Sequence, residues 1–236
     1  MSDGRAAILG RIREALKLSA PMPGDHGSDA DLGVDAPHAA PGSPSVIRGW
    51  LPVAGITYAE NADLFARNSA DLKTDFLRVP TCAAAHQALR DLAVAEKWTR
   101  VAFHAAPLIS DAVAALNIPA LETVAGYDVH ALEKCDVGIT ACDALIAQTG
   151  SILLTSTSGG GRTLSVLPPH HVVLATRAQL LPDLSAGYEL IDAKYGKAMP
   201  SFITLITGPS RTGDIERILV LGAHGPKKLT VVIIEE

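Results

Sequence analysis

The sequence predicts an α/β fold in which a mostly parallel sheet carries helices on both faces. From about residue 56 onward, segments with helical periodicity alternate with short apolar runs, which is the pattern of strands joined by helical crossovers. The apolar runs contain few polar residues, as expected for parallel strands that are buried on both sides. Hydrophobic residues make up 48% of the chain and aromatic residues only 4%, so aliphatic side chains are expected to fill the core.

The individual elements follow from the same periodicities, taken in chain order. We expect helices at 57–73, 81–98 and 108–118, with Thr81 as the N-cap of the second, and further helices near 177–187 and 213–221. We expect strands at 74–80, 99–105, 170–176, 201–207 and 229–236, and several short strands within 135–157. No internal repeat stands out, so these elements are expected to form one domain over residues 51–236.

Two segments of different composition precede this domain. Residues 1–19 predict an amphipathic helical arm, in which Ile8, Ile12 and Leu16 share one side. Residues 20–50 form a Pro/Gly-rich linker with almost no large apolar side chain. The arm either packs on a partner, including a second copy in a homo-oligomer, or folds back over its own sheet.

Composition and charge exclude several kinds of partner. The formal net charge is −5 and no basic cluster occurs, which argues against binding to nucleic acid or to an anionic membrane. The three cysteines lack metal-ligand spacing, so no metal site and no iron–sulfur cluster is expected. No apolar run is long enough to span a membrane and no leader pattern opens the chain. These features predict a cytoplasmic protein.

Two glycine-containing loops carry the residues that we expect to bind a ligand. In open α/β sheets, ligands bind at the carboxyl ends of strands, where free backbone amides attract anions. The first loop follows the strand at 151–157 and contains Gly159, Gly160, Gly161 and Arg162. Its amides are expected to turn inward as a nest, with the Arg162 guanidinium as a bidentate donor. The plain alternative is a surface turn, since glycines are common in turns.

The second loop follows the strand at 201–207 and leads into the helix expected near 213–221. Thr212 or Gly213 would cap this helix, so Ser210 and Arg211 would project from a strand-to-helix junction. If the two strands are parallel neighbours, Arg162 and Arg211 face the same crevice. Arg211 could instead pair with Asp214 or Glu216 on the surface.

Two long segments resemble a known family. They are "ACDALIAQTGSILLTSTSGGGRTLSVLPPHHVVLA" and "ITGPSRTGDIERILVLGAHGPKKLTVVII", and they are similar to the LUD-domain family, over about residues 130 to 235. The resemblance implies a fold of the type found in sugar-phosphate isomerases and CoA transferases. It also implies a part in oxidising L-lactate to pyruvate together with iron–sulfur partner proteins. Gln148 stands where the family usually has Glu, and an amide is no general base.

The sequence therefore predicts a subunit of a lactate-utilisation system that binds a small anion between the Gly159–Arg162 and Gly208–Thr212 loops. The alternative is a stand-alone enzyme of the same fold that acts on a sugar-phosphate, folate or acyl-CoA substrate. No recognised motif encodes a cofactor site. The candidate catalytic residues are Asp214, Glu216 and His224. The candidate ligand-binding residues are Thr149, Gly150, Gly159, Gly160, Gly161, Arg162, His171, Gly208, Ser210, Arg211 and Thr212.

Overall fold

The structure is a computed structural model that describes residues 13–14, 52–124, 127–212, 220–222 and 224–236. Most of the predicted arm and all of the linker lie outside the described residues. Arg13 and Glu14, within the arm, are helical and exposed. Residue contacts place the chain from Gly49 to Glu236 in one compact unit, and the fold described below belongs to that unit.

The described helices and strands alternate along the chain, as the periodicities predict. The α-helices are α1 Tyr58–Leu72, α2 Cys82–Glu96, α3 Pro107–Ala114, α4 Val129–Leu132 and α5 Leu184–Tyr195. The first six strands are β1 Asp75–Val79, β2 Val101–Phe103, β3 Ala120–Glu122, β4 Val137–Thr140, β5 Ala144–Ile146 and β6 Ser151–Thr155. The other strands are β7 His170–Thr176, β8 Leu180–Leu181, β9 Ile203–Ile206, β10 Arg211–Thr212, β11 Val220–Leu221 and β12 Lys228–Ile234. Thr81 caps α2 as predicted, because its side chain accepts from the Ala84 amide.

The main sheet confirms the predicted parallel architecture. Its six strands lie in the order β1-β12-β7-β4-β2-β3, and every neighbouring pair is parallel. One face packs on α2 and α3 through side chains such as Leu89 and Ile109. The opposite face packs on α1 and on a second sheet, with Phe65 and Leu145 among the buried residues. Both faces of β7 and β12 are therefore covered.

This two-sided burial determines the environment of the histidines that begin β7. Alternation along a strand sends His170 and His171 to opposite faces, so a sheet with only one covered face would leave one of them exposed. Both are buried, at 4% and 1% exposure, since each face of the sheet is covered. His170 packs edge-on against Trp98, and its Nε2 lies 2.9 Å from Thr230 Oγ1.

The second sheet was not predicted. Its strands lie in the order β8-β5-β6-β9, and β6 is antiparallel to both β5 and β9. The short apolar runs within 135–157 are strands, but the chain leaves the main sheet after β4 and starts the second sheet with β5. Apolar periodicity identifies a strand without identifying its neighbour, so it could not separate the two sheets.

Two predicted helices differ from the structure. Near 177–187 the chain forms a short 3-10 turn, Arg177–Gln179, then β8, and the α-helix begins only at Leu184, where Asp183 caps it. At 213–221, the residues that the structure describes, Val220 and Leu221, form β11, which pairs antiparallel with β10. Arg211 thus lies in a β-ribbon, and residues 213–219 of the predicted helix lie outside the described residues. None of the described helices is long and apolar enough to cross a membrane.

Candidate functional site

A cavity of about 310 Å³ lies between β9 and the first residues of β7 and β12. Its walls are mainly apolar, and most of its polar groups come from the turn that follows β9 and from the chain before β12. This volume is at the lower end of the range found for small-molecule sites. The cavity is lined by Ser165, Val166, His171, Phe202, Thr204, Ile206, Thr207, Gly208, Pro209, Ser210, Arg211, His224, Gly225, Pro226 and Leu229.

Arg211 supplies the positive charge of this cavity. Its side chain is exposed, and among the described residues it makes no hydrogen bond and no salt bridge. The guanidinium folds back over the turn, because Nη2 lies 3.7 Å from the point that a Cβ on Gly208 would occupy. Gly208 has a φ of +84°, a conformation that favours glycine. The turn after β9 thus presents to the cavity a cation that has no counter-charge among the described residues.

A chain of three hydroxyl groups reaches the cavity at Thr207. Ser151 Oγ donates to Thr149 Oγ1 at 2.8 Å and also lies 2.8 Å from Thr207 Oγ1. Ser151 is buried at the start of β6 and does not line the cavity, whereas Thr207 is exposed and lines it. The antiparallel pairing of β6 with β9 brings the beginning of β6 beside the end of β9, which places these hydroxyls together.

His171 contributes a neutral imidazole to the cavity wall. Burial, with the nearby His170, lowers the pKa of His171 to about 3, so the ring is uncharged at neutral pH. Its Nε2 lies 2.9 Å from Thr140 Oγ1. Its Nδ1 and the Ser165 hydroxyl, both in residues that line the cavity, are buried without a hydrogen-bond partner among the described residues. A ring with so low a pKa is a poor proton acceptor at neutral pH.

The cavity does not lie where the sequence placed the site. His171 and Leu229 are each the second residue of their strand, so the cavity is at the amino ends of the parallel strands and not at their carboxyl ends. The β6–β9 pair is antiparallel, with Thr155 opposite Ile203 and Ile152 opposite Ile206. The two predicted loops therefore leave this pair at opposite ends.

Arg162 and the three glycines are engaged elsewhere. The Arg162 guanidinium donates to the Ser201 carbonyl at 2.6 Å, and Arg162 is not among the residues that line the cavity. The Gly159 and Gly161 amides donate to the backbone carbonyls of Thr155 and Ser156, so neither amide is free for an anion. Gly160 packs against His104, where a Cβ would lie 2.3 Å from the histidine side chain.

The other predicted site residues divide into four groups. Gly208, Ser210, His171 and His224 line the cavity together with Arg211. Thr149 reaches it only through Ser151, and Gly150 packs against Asn68. Thr212 belongs to the β10–β11 ribbon. Asp214 and Glu216 lie outside the described residues.

A comparison with protein-family models decides the family of the chain. The model described as "LUD domain" matches residues 62–234, well over half of the sequence. The chain belongs to the LUD-domain family. The matched range contains all of the main sheet, the second sheet and the residues that line the cavity, and it confirms the resemblance found in the sequence.

Curated relatives of this LUD domain carry one name. "Lactate utilization protein C" of Halalkalibacterium halodurans is 37% identical over 110 residues, which is 46% of this chain and 48% of the relative. The protein of the same name from Bacillus subtilis is 32% identical over 111 residues, 46% of each chain. The matched region thus spans about half the length of the curated relatives.

A solved structure supports the fold of this LUD domain. The crystal structure of a DUF162 family protein from Deinococcus radiodurans superposes with a TM-score of 0.60 at 22% sequence identity. The match covers 76% of this chain and 99% of the Deinococcus chain. At this level of identity the similarity concerns the fold alone.

Gln148 has a structural partner in this LUD domain. The side chain is 9% exposed, and its Nε2 donates to the Pro52 carbonyl at 3.0 Å. The preceding turn is held by Asn68, whose Nδ2 donates to the Ala147 and Gln148 carbonyls. Asn68 could not be identified from the sequence, because it resembles any other polar residue of an amphipathic helix. The amide at 148 thus fixes the chain that enters α1.

Replacing Gln148 with glutamate is expected to destabilise the domain at neutral pH. The carboxylate would face the Pro52 carbonyl without a proton to donate, and an unsatisfied buried group costs about 1–3 kcal/mol. Protonation restores a donor, so the difference between variant and parent should shrink as the pH falls. Urea unfolding at pH 7 and pH 5 measures this difference. Gln87→Glu, on the exposed side of α2, is the matched control, and equal stability of parent and Gln148→Glu at pH 7 would contradict the assignment.

Proposed function

We propose that this LUD domain is a component of lactate utilisation that binds a small organic acid, with the carboxylate held by Arg211. The observation that carries the proposal is the position of Arg211 in a cavity with apolar walls, where its guanidinium makes no hydrogen bond and no salt bridge with the described residues. Arginine suits a carboxylate because its planar donors form two parallel hydrogen bonds. The name of the curated relatives, lactate utilization protein C, supports a lactate-related acid as the ligand.

The size of the cavity favours a small acid over the larger substrates of the alternative function. At about 310 Å³, it is at the lower limit for drug-sized ligands, whereas folates and CoA esters are larger. The apolar wall formed by Phe202, Ile206 and Leu229 suits the short hydrocarbon part of such an acid. No described observation favours the stand-alone enzyme.

Substitution of Arg211 tests the proposed binding. Arg211→Ala is expected to weaken the binding of L-lactate by about 1.5–3 kcal/mol, the contribution of hydrogen bonds to a charged group. Arg211→Lys should recover only part of it, because lysine keeps the charge and lacks the bidentate geometry. Isothermal titration calorimetry gives both dissociation constants.

The matched control is Arg90→Ala on α2, because the Arg90 guanidinium donates only to Gln87. Arg162→Ala distinguishes binding in the cavity from binding in the two-arginine crevice that the sequence predicted. If L-lactate binds in the cavity, its affinity for Arg162→Ala should be unchanged. If it binds between the two arginines, the loss of affinity should equal that of Arg211→Ala. Unaltered L-lactate binding by Arg211→Ala would refute the proposal.

We propose further that oxidation of the acid requires iron–sulfur partner proteins of the same lactate-utilisation set. The neutral imidazole of His171 is a poor base for taking the proton of a hydroxyl. The role proposed for this chain is therefore to bind and orient the acid. Turnover of L-lactate by the purified chain with an artificial electron acceptor would contradict this division of labour.

A further inference from the structure

The hydroxyl chain assigns a direction to the Thr207 proton. A hydroxyl group has one proton to donate and two lone pairs that accept. Ser151 Oγ donates to Thr149 Oγ1, so its proton is already used. The second contact of Ser151 Oγ, at 2.8 Å to Thr207 Oγ1, then requires Thr207 to be the donor. Thr207 consequently has only lone pairs left for the cavity.

Thr207 and Arg211 are opposite kinds of hydrogen-bonding group in one short turn. Arg211 offers only donors, and its Nη2 folds over Gly208, the residue next to Thr207. Both side chains line the same cavity. A ligand that satisfies both therefore needs acceptors for Arg211 and, beside them, a donor for Thr207.

We propose that this pair makes the cavity selective for a 2-hydroxy acid over the corresponding 2-oxo acid. The hydroxyl proton is donated to Thr207 Oγ1, while Arg211 holds the carboxylate. A 2-oxo group has only lone pairs and meets those of Thr207, which is unfavourable. The inference rests on the proposed binding of a carboxylate at Arg211. Ser151 acts as a positioning residue, because it fixes the direction of the Thr207 proton without touching the ligand.

Three acids that differ at one position test the selectivity. Calorimetry with L-lactate, pyruvate and propionate compares a hydroxyl, a carbonyl and no oxygen on the same three-carbon carboxylate. We expect the wild-type chain to bind L-lactate about three- to tenfold more tightly than either of the others, the effect of one hydrogen bond. Equal affinity for all three acids would overturn the inference.

Two variants isolate the hydroxyl chain. Thr207→Val removes the acceptor and keeps the shape, so L-lactate affinity should fall three- to tenfold while propionate affinity stays constant. Ser151→Ala frees the Thr207 proton to point into the cavity, so pyruvate should gain about threefold and L-lactate should change little. If Thr207 serves only in packing, Ser151→Ala should have the same ratio of L-lactate affinity to pyruvate affinity as the parent. That result would refute the proposed role of the Thr207 proton.

The matched control is Thr157→Val, because Thr157 is exposed and does not line the cavity. This variant should have the same ratio of L-lactate affinity to pyruvate affinity as the parent. Arg211→Ala distinguishes this inference from the proposed function. If Arg211→Ala loses all three acids while Thr207→Val alters none, only the selectivity is wrong. If the wild-type chain binds none of the acids, the proposed function fails and the selectivity fails with it.

Discussion

Replacing Asp143 with alanine is expected to lower the free energy of unfolding by roughly 1–3 kcal/mol, the cost of leaving buried hydrogen-bond donors without their acceptor. The Asp143 side chain is fully buried, and its Oδ1 accepts from Lys194 Nζ at 2.6 Å and from the Tyr195 hydroxyl at 2.7 Å. Its Oδ2 accepts from Ser158 Oγ at 2.6 Å. The carboxylate thus links the loop after β4, the end of α5 and the loop after β6.

The charge state of Asp143 fits this role. Burial raises the pKa of the carboxyl, but the hydrogen bonds from Lys194, Ser158 and Tyr195 outweigh burial and hold the pKa below its usual value. Removal of the carboxylate leaves these donors without their acceptor. Lys194 is half exposed, so water recovers part of its loss, whereas Ser158 and Tyr195 are less accessible.

Urea unfolding at pH 7 measures this loss, with Asp192→Ala as the matched control. Asp192 is exposed on α5, two residues before Lys194, and its removal should cost less than about 0.5 kcal/mol. The loss of unfolding free energy for Asp143→Asn should lie between those of Asp143→Ala and Asp192→Ala, because asparagine keeps one acceptor oxygen but adds unpaired N–H donors. If Asp143→Ala were as stable as Asp192→Ala, Asp143 would have no role in joining the three segments.

The second large effect is a loss of stability in mild acid caused by His170 and His171. Burial lowers the pKa of His170 to about 4 and that of His171 to about 3. Between these values and the ordinary pKa of 6.5, the unfolded chain binds protons that the folded chain excludes. Stability therefore rises with pH in this window. Above about pH 6.5, both rings are neutral in the folded and unfolded chains, so their protonation no longer lowers the free energy of unfolding.

Each imidazole should contribute a slope of roughly 1.4 kcal/mol per pH unit, so the pair should approach about 2.7 kcal/mol per unit. Asp143, with its lowered pKa, affects stability mainly below its ordinary value of 3.8, which lies under the range from pH 5 to pH 7. Urea unfolding at pH 7, 6 and 5 gives the slope. His170→Leu should halve it, and the exposed His130→Gln should leave it unchanged. A slope near zero between pH 6 and pH 5 would show that the rings are protonated in the folded chain.

The sequence was sufficient to predict five of the six strands of the main sheet, because the central strands are apolar on both faces and the helices carry clear signals. The short edge strand β3 was not predicted. Thr81 is one such signal, since a threonine before a helix-periodic segment is an N-cap. The loop from Gly208 to Arg211 was also identified, because its motif resembles the family over many residues. These predictions depend on neighbours in sequence, which a single chain displays directly.

The rest of the site depends on strand partners that the sequence does not show. The two-arginine crevice assumed that β6 and β9 are parallel, and their antiparallel pairing separates the loops. Ser151 and Thr140 are single polar residues inside apolar runs, so only the folded chain shows which hydroxyl or imidazole each one contacts. Asp143 lies in a short loop, and its partner on α5, Lys194, is 51 residues away, so the sequence does not indicate this contact.

The pairing of β1 with β12 has a consequence for how the protein reaches this structure. β1 is an edge strand whose one neighbour in the main sheet, β12, pairs Asp75 with Thr230. During synthesis, the ribosome must therefore add more than 150 residues after β1 before β12 can pair with it. Such distant pairings slow folding and leave strand edges open to aggregation. Chaperone dependence during expression should therefore concentrate on the interval before β12 emerges.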